Sequence, residues 1–150
     1  MSFINRIQNL KNKLSQDNLH GMYVTNLTNV RYLTGFTGSA ASLLIIADEQ
    51  HFFTDGRYIE QSKTQIKDCI VHIVGSSHFQ AINKKKLIPN NTSIGLESNV
   101  VSIDLYDALI KQLPHVNWQK TTGIIEKLAA IKDSLEINSL KIATEITDLV

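Results

Sequence analysis

Apolar and polar residues alternate along this chain in a way that predicts helices and strands in turn. The first helix is predicted over residues 2–17, where apolar positions recur at helical spacing: Phe3, Ile7, Leu10 and Leu14. Residues 22–25 predict a short strand, and residues 26–32 predict a turn or a single helical turn. The chain therefore opens with an amphipathic helix that covers one side of a strand-containing layer.

The middle of the chain predicts a β-hairpin. Residues 42–47 (SLLIIA) and 51–54 (HFFT) are rich in strand-forming side chains, and the polar residues 48–50 separate them. Two glycine-containing junctions flank the hairpin, RYLTGFTGS before it and TDGRY after it, and glycine lets a chain bend sharply. Asp55 ends the second strand, where its carboxylate can cap a helix predicted over residues 57–66.

Strand and helix patterns continue to alternate after the hairpin. Residues 70–74 (IVHIV) carry apolar side chains on both faces, which predicts an interior strand covered on two sides. The remaining predictions are a helix at 78–87, a strand at 93–97, a helix capped by Ser102 or Asp104 that runs to Leu113, and a strand at 116–119. This alternation predicts an α/β domain with three layers (αβα), whose sheet is mixed because it contains an antiparallel hairpin.

The tail departs from this alternation. A helix is predicted over residues 123–132, and Asp133 with Glu136 three positions later predicts a capping box for another helix over residues 134–150. The apolar residues of this last helix cover two of its sides: Leu135, Ile137, Leu140, Ile142, Ile146, Leu149 and Val150. Because so broad an apolar surface requires cover from two directions, we expect a second domain to follow.

Composition narrows the class of protein. A chain of 150 residues, 43% hydrophobic and 19% charged, is typical of one soluble globular domain. The net charge of +1 gives no indication of nucleic-acid binding, and no apolar run approaches the roughly 20 residues that span a bilayer. The N-terminus does not resemble a secretory signal, and the single cysteine, Cys69, favours a reducing, cytoplasmic location and a buried, inert thiol.

The sequence contains no motif that predicts a catalytic or metal site within these residues. CxxC, GxxxxGK[ST] and GxSxG are absent, and the histidines lack HxxxH or HExxH spacing. A metal pair of His72 and His78, across a strand–helix junction, is not assigned, and the run Lys84-Lys85-Lys86 is interpreted as a solvated rim. A two-metal nuclease would need converging carboxylates, whereas three acidic residues at element ends are better explained as caps: Asp55, Glu97 and Asp104.

Two segments carry a family resemblance. RYLTGFTGSA, followed downstream by TDGRYIEQ, resembles the N-terminal domain of the creatinase/prolidase family, which includes aminopeptidase P and Xaa-Pro dipeptidases. SIGLESNVVSIDLYDAL and EKLAAIKDSLEINSLKIATEITDL are also similar to that family, although it commonly has an arginine where Ala129 stands. The resemblance implies an N-terminal domain of ribonuclease-H-like topology over residues 1–123. Residues 124–150 would then be the linker and the start of a C-terminal metallopeptidase (pita-bread) domain.

The resemblance also implies a function. The parent protein would be a cytoplasmic Xaa-Pro metallopeptidase, a hydrolase that acts on short proline-containing peptides. Two divalent metal ions (Mn²⁺, Zn²⁺ or Co²⁺) would be held by two aspartates, one histidine and two glutamates of its C-terminal catalytic domain. No position here matches those ligands, so we expect no catalytic or metal residues in this segment and no activity from it alone. Its implied roles are homodimer assembly and restriction of the substrate cleft.

Six residues are candidates for bordering that cleft: Phe36, Thr37, Gly38, Ser39, Arg57 and Tyr58. On this interpretation the glycine lets backbone N–H groups approach a peptide, and Arg57 helps to position it. The alternative interpretation is structural: tight turns, a buried Phe36, and Arg57 paired with Asp55 or Glu60. Two other functions stay open, a stand-alone binding or interaction module and the N-terminal domain of a creatinase-like amidinohydrolase that uses a metal-free site.

Overall fold

A computed structural model describes residues 3–75 and 77–148 of the chain. Its helices are α1 (Phe3–Gln16), α2 (Leu27–Thr34), α3 (Ile59–Gln65), α4 (His78–Lys84), α5 (Ile103–Gln112), α6 (Ile124–Ala130) and α7 (Ser134–Asp148). Its strands are β1 (Gly21–Val24), β2 (Ala41–Ile46), β3 (Glu49–Thr54), β4 (Ile70–Ile73), β5 (Thr92–Glu97) and β6 (Val116–Thr121). The predictions for Leu149 and Val150 lie outside the described residues.

The strands form one six-stranded sheet in the order β4-β3-β2-β1-β5-β6. The pairs β1–β2 and β2–β3 are antiparallel, and the three other pairs are parallel, so the sheet is mixed. One core cluster lies between the sheet and α1, α2 and α6, and a second lies between the opposite face and α4 and α5. The predicted three-layer α/β fold is confirmed.

The hairpin is present, with longer strands and a tighter turn than predicted. β2 and β3 pair from Ala41 opposite Thr54 to Ile46 opposite Glu49. Only Ala47 and Asp48 connect them, and Ala47 takes a φ of +48°. The predicted polar connection of residues 48–50 was wrong because a two-residue turn of this hand matches the twist of the strands and lets Glu49 join the ladder.

Strand β4 corrects the prediction of an interior strand at residues 70–74. It pairs with β3 alone and forms one edge of the sheet. Ile70, Val71 and Ile73 are 47%, 37% and 43% exposed. The apolar pattern was interpreted as cover by helices on both faces, but the residues that follow form only the short helix α4, which leaves β4 largely uncovered.

Two helices differ from their predicted lengths because of how they end. α2 has two turns where at most one was predicted; Asn26 accepts a hydrogen bond from the Thr28 N–H, and Gly35 at φ +79° donates its N–H to the Arg31 carbonyl. α4 is shorter than predicted because Lys86 adopts a left-handed φ of +51°, which a continuing helix does not allow.

The capping box at the start of α7 is confirmed. The Asp133 N–H donates to Glu136 Oε2 (3.1 Å), and the Glu136 N–H donates to Asp133 Oδ1 (2.9 Å). Arg6 of α1 binds the same corner: its Nη2 lies 2.9 Å from Asp133 Oδ2, and its Nη1 donates to the Tyr32 carbonyl (2.8 Å). Four apolar residues of α7 are exposed: Ile137, Leu140, Ile142 and Ile146.

Candidate functional site

The structure brings the six candidate residues together, with Phe36 buried beneath the other five. Residues 36–39 follow the left-handed Gly35 and pack against a 3-10 turn at Gly56–Tyr58, which leads into α3. Phe36 is the buried anchor of this loop, with 1% of its surface exposed. Its ring meets the rings of Phe52 and Tyr58 edge to face, at centroid distances of 4.9 and 5.4 Å. The loop is therefore fixed to β3 and to the turn by aromatic packing.

Gly38 is required by close approach rather than by backbone angle. A Cβ added there would lie 2.3 Å from the Phe36 ring and 2.8 Å from the Tyr58 ring. Both distances are shorter than any contact a real Cβ makes, so a larger residue would separate the two rings. The glycine thus allows the loop to fold onto its own aromatic anchor.

Hydrogen bonds hold the other side of the loop. The Ser39 N–H donates to Tyr58 Oη (3.2 Å), and the two hydroxyl oxygens lie 2.6 Å apart. These bonds lower the pKa of the Tyr58 phenol from its usual value. The Thr37 N–H donates to Gln65 Oε1 (3.0 Å), and Gln61 Nε2 donates to Thr37 Oγ1 (2.9 Å). The loop is thereby attached to α3 along its length.

Arg57 is paired with Asp55 in a two-point contact. Its Nε donates to Asp55 Oδ1 (2.9 Å) and its Nη2 donates to Asp55 Oδ2 (2.7 Å). The hydrogen bonds from Arg57 hold the pKa of the Asp55 carboxyl at about 2 and raise the pKa of the guanidinium. The Arg57 side chain is nevertheless 69% exposed, so an incoming anion can reach it only in competition with Asp55. This pairing is the one that the structural interpretation expected.

A buried carboxylate that the sequence showed only as a capping candidate lies elsewhere. Glu97 ends β5 and is 3% exposed. Its Oε2 accepts the N–H groups of Thr25 and Asn26 (2.8 and 2.9 Å), and its Oε1 accepts from Asn29 Nδ2 (2.7 Å). The same amide also donates to Glu126 Oε1 (2.9 Å). The sequence signal for this site was an acidic residue at the end of an apolar strand. Glu97 holds the chain between β1 and α2 through these hydrogen bonds.

The histidines do not form the pair considered from the sequence. The Phe53 ring stacks with both His72 and His78, at 4.7 and 6.0 Å, and His72 instead hydrogen-bonds His51 (3.1 Å between Nε2 and Nδ1). Within residues 3–75 and 77–148, no three His, Cys, Asp or Glu side chains converge to hold a metal ion. Over the same ranges, no helix has both the length and the apolar content needed to traverse a bilayer.

A groove of about 820 Å³ opens between α1, α2 and α7. Its apolar lining comes from Phe3, Ile7, Leu33, Ile66 and Leu140. Cys69 also borders this groove, and burial raises the pKa of its thiol to about 12, so it is a poor nucleophile. The groove lies beside the exposed apolar side of α7, so the groove and this helix together form one apolar surface.

Comparison with known proteins links this geometry to a family. The model of the creatinase/prolidase N-terminal domain matches residues 6–131. An uncharacterized peptidase of Bacillus subtilis, YqhT, is 34% identical over 143 residues, covering 95% of this chain and 40% of the relative.

Two solved structures extend the likeness to the fold. An Xaa-Pro dipeptidase from Bacillus anthracis superposes with a TM-score of 0.90 at 28% identity, covering 99% of this chain and 41% of that protein. The N-terminal domain of the cytoplasmic peptidase PepQ from Mycobacterium tuberculosis gives a TM-score of 0.74 at 32% identity, covering 83% of this chain and 98% of that domain. The chain thus spans about 40% of the length of the longer relatives and nearly all of an isolated N-terminal domain.

Proposed function

The chain belongs to the creatinase/prolidase family through its N-terminal domain, and on that premise we propose that it is the non-catalytic N-terminal domain of an Xaa-Pro metallopeptidase. The proposal rests on the share of each related structure that this chain matches. The chain accounts for 98% of an isolated N-terminal domain of one peptidase but only 41% of a complete Xaa-Pro dipeptidase. A sequence that supplies one domain of such an enzyme is expected to show this difference.

The chemistry of the parent enzyme is part of the proposal. Two divalent metal ions (Mn²⁺, Zn²⁺ or Co²⁺) would polarise the peptide carbonyl and activate water in a C-terminal catalytic domain. The described residues supply no set of metal ligands, so no step of the reaction is assigned to them. Short proline-containing peptides are the proposed substrates, and the cytoplasm is the proposed location.

The division at residues 123 and 124 is proposed as the domain boundary. Residues 1–123 contain the whole sheet and helices α1 to α5, and residues 124–150 would lead into the catalytic domain. Support comes from α7, which exposes four large aliphatic side chains to solvent: Ile137, Leu140, Ile142 and Ile146. In the complete enzyme a packed catalytic domain would remove these side chains from water.

The loop of residues 36–39 with Arg57 and Tyr58 is proposed to border the substrate cleft. The proposal is supported by the rigidity of the loop: Phe36 is buried beneath it, and aromatic packing and hydrogen bonds hold the other candidates in place. A fixed wall limits the length of peptide that enters a cleft, because it does not yield to a longer substrate. In a homodimer, residues of the second protomer would further restrict the same cleft.

The first test concerns the parent protein. The coding region downstream of Val150 should encode two aspartates, one histidine and two glutamates in the family's order, and the complete enzyme should cleave an Xaa-Pro peptide when Mn²⁺ is supplied. The 150-residue chain, purified from contaminating proteases, should cleave none. A stand-alone binding module would lack the downstream ligands, and a creatinase-like amidinohydrolase would act without added metal.

The second test concerns the cleft. In the complete enzyme, Ser39→Ala should raise KM several-fold at unchanged thermal stability if the loop contacts the peptide. Ser98→Ala is the matched control, because Ser98 is an exposed serine that hydrogen-bonds the Thr121 carbonyl far from this loop in sequence. A loss of stability at unchanged KM would show that Ser39 serves only to hold Tyr58.

A further inference from the structure

The outer edge of β4 carries backbone groups without partners. The Val74 N–H donates to the Thr54 carbonyl of β3 (2.9 Å), and successive residues of a strand direct their backbone groups to opposite edges. His72 therefore also faces β3, whereas the N–H and C=O groups of Val71 and Ile73 point away from the sheet. Because β4 pairs with β3 alone, these four groups form no hydrogen bond with any residue that the structure describes.

The sequence of this edge is nearly palindromic. Residues 70–74 read IVHIV, so an antiparallel copy centred on His72 places Ile70 opposite Val74 and Val71 opposite Ile73. Every aliphatic residue then meets a β-branched aliphatic residue, and such cross-strand pairs stabilise sheets. In the same register Val71 and Ile73 are the residues that exchange hydrogen bonds, and their backbone groups are the ones that point outwards. The order of side chains and the direction of the backbone therefore select the same register.

Little around β4 opposes pairing with a second strand. Its three aliphatic side chains are substantially exposed, and α4 packs inwards, with Ile82 fully buried in the core of that face. No charged residue lies between Asp68 and Lys84, so this register brings no like charges together. His72 would lie opposite its own copy, and burial lowers its pKa to about 4, so it is uncharged at neutral pH. The other edge strand, β6, includes Lys120, and its sequence VNWQKT has no comparable symmetry.

From these observations we infer that β4 is a dimerisation edge, which pairs antiparallel with β4 of a second copy of this chain about a two-fold axis at His72. Val71 of each copy would exchange two hydrogen bonds with Ile73 of the other, and the two six-stranded sheets would become one. A two-fold interface requires a surface that is complementary to itself, and the order IVHIV meets that requirement. The inference gives the proposed homodimer a specific interface and does not depend on peptidase activity.

Disulfide cross-linking tests the register. Opposite residues that do not exchange hydrogen bonds have Cα atoms about 4.5 Å apart, within disulfide range, whereas the two copies of Val71 or of Ile73 would be diagonal neighbours beyond that range. In a Cys69→Ser background, with copper phenanthroline and air as the oxidant, His72→Cys at about 100 µM should form covalent dimers at least about fivefold faster than Val71→Cys or Ile73→Cys. Gln119→Cys, at an exposed position of β6, is the matched control and should react as slowly as those two variants.

Sedimentation velocity tests the interface without an added cysteine. A single strand pair is a small interface, so the original chain should shift from the mass of one copy towards that of two between about 5 and about 500 µM. Val71→Lys with Ile73→Lys should remain at the mass of one copy, because the register places each new ammonium group opposite another. Asn117→Lys with Gln119→Lys on β6 is the matched control and should associate as the original chain does. Circular dichroism checks that each variant is folded.

Cross-linking of His72→Cys no faster than that of Gln119→Cys would overturn the inference, and this includes association through the exposed side of α7. Faster cross-linking of Val71→Cys or Ile73→Cys would overturn it too, since either would show another register. An original chain that stays at the mass of one copy, or a β4 lysine variant that associates as strongly as the original chain, would do the same. None of these measurements involves peptide cleavage, so their failure is distinct from failure of the proposed function.

Discussion

The two edge strands of the sheet, β4 and β6, differ in how their apolar side chains are exposed. β6 alternates: Val116 and Trp118 are buried, while Asn117, Gln119 and Lys120 point to solvent. β4 does not alternate, and Ile70, Val71 and Ile73 are all substantially exposed. Both are short edge strands that pair in parallel with a single neighbour.

The difference shows which edge strand contributes to the core and which leaves its aliphatic side chains in water. A polar, lysine-bearing edge discourages pairing with other chains, whereas an exposed aliphatic edge does not. β6 also contributes a tryptophan to the core, so the domain depends on it for stability. β4 contributes no buried aliphatic side chain, so the core depends on it less.

The largest expected effect is on stability, and it compares the contributions of β6 and β4 to the free energy of unfolding. Trp118→Ala should lower the free energy of unfolding by about 3 kcal/mol, because it removes a large buried side chain and leaves a cavity. Ile70→Ala on the opposite edge should cost less than about 1 kcal/mol, since nearly half of that side chain is already in water. Urea denaturation followed by circular dichroism measures both, and equal losses would contradict the contrast.

A somewhat smaller loss of stability is expected at Glu97, which ends β5, the strand that pairs in parallel with β1. Glu97→Gln should cost about 2 kcal/mol, because three donors lose a charged acceptor in a buried position. Glu126→Gln is the control: it retains an acceptor for Asn29 and lies in a partly buried contact, so its cost should be a few tenths of a kcal/mol. If both substitutions cost the same, Glu97 is not the residue that holds β1 to α2.

A small effect on stability with a clear effect on solubility is expected for β4. The double variant Val71→Lys with Ile73→Lys should change the free energy of unfolding by no more than about 1 kcal/mol and should reduce association at high concentration. Asn117→Lys with Gln119→Lys on β6 should leave light scattering unchanged, because that edge is already polar. Unchanged scattering of the β4 variant would show that its exposed aliphatic residues do not cause association.

The smallest effect is expected at the Asp55–Arg57 pair. The folded state lowers the pKa of Asp55 from its usual 3.8 to about 2, so the contribution of this pair to stability is present above pH 3.8 and is lost as the pH falls towards 2. Carboxyl NMR titration should locate the midpoint near 2 in the original chain and closer to 3.8 in Arg57→Gln. An unshifted midpoint in that variant would show that the backbone N–H of Arg57, not its side chain, controls Asp55.

Much of the fold could be predicted because its signals are local. The alternation in residues 42–54 and the Asp133–Glu136 spacing depend on neighbours in sequence, and both predicted the observed structure well. The position of β4 in the sheet was predicted wrongly for a physical reason. An apolar run indicates that its residues tend to be buried, but it does not indicate which element covers them. The same four apolar positions fit an interior strand and an edge strand.

The candidate site was predictable only in part. Its six residues lie in two glycine-containing turn segments, so they could be selected as candidates without knowing which strands pair in the sheet. The contact of His51 with His72 depends on the register between β3 and β4, in which His51 faces Ile70 and Phe53 faces His72. A shift of one residue would send His72 to the other face, and the sequence alone does not determine that register.

The ion pair between Arg6 and Asp133 has a consequence for biosynthesis. The two residues are 127 positions apart, so a ribosome releases the guanidinium group long before its carboxylate exists. Until Asp133 is synthesised, Arg6 of α1 can bind the Tyr32 carbonyl but lacks its carboxylate partner. The contact can form only after the chain has been synthesised to Asp133, so it joins the first helix of the domain to the junction from which α7 begins.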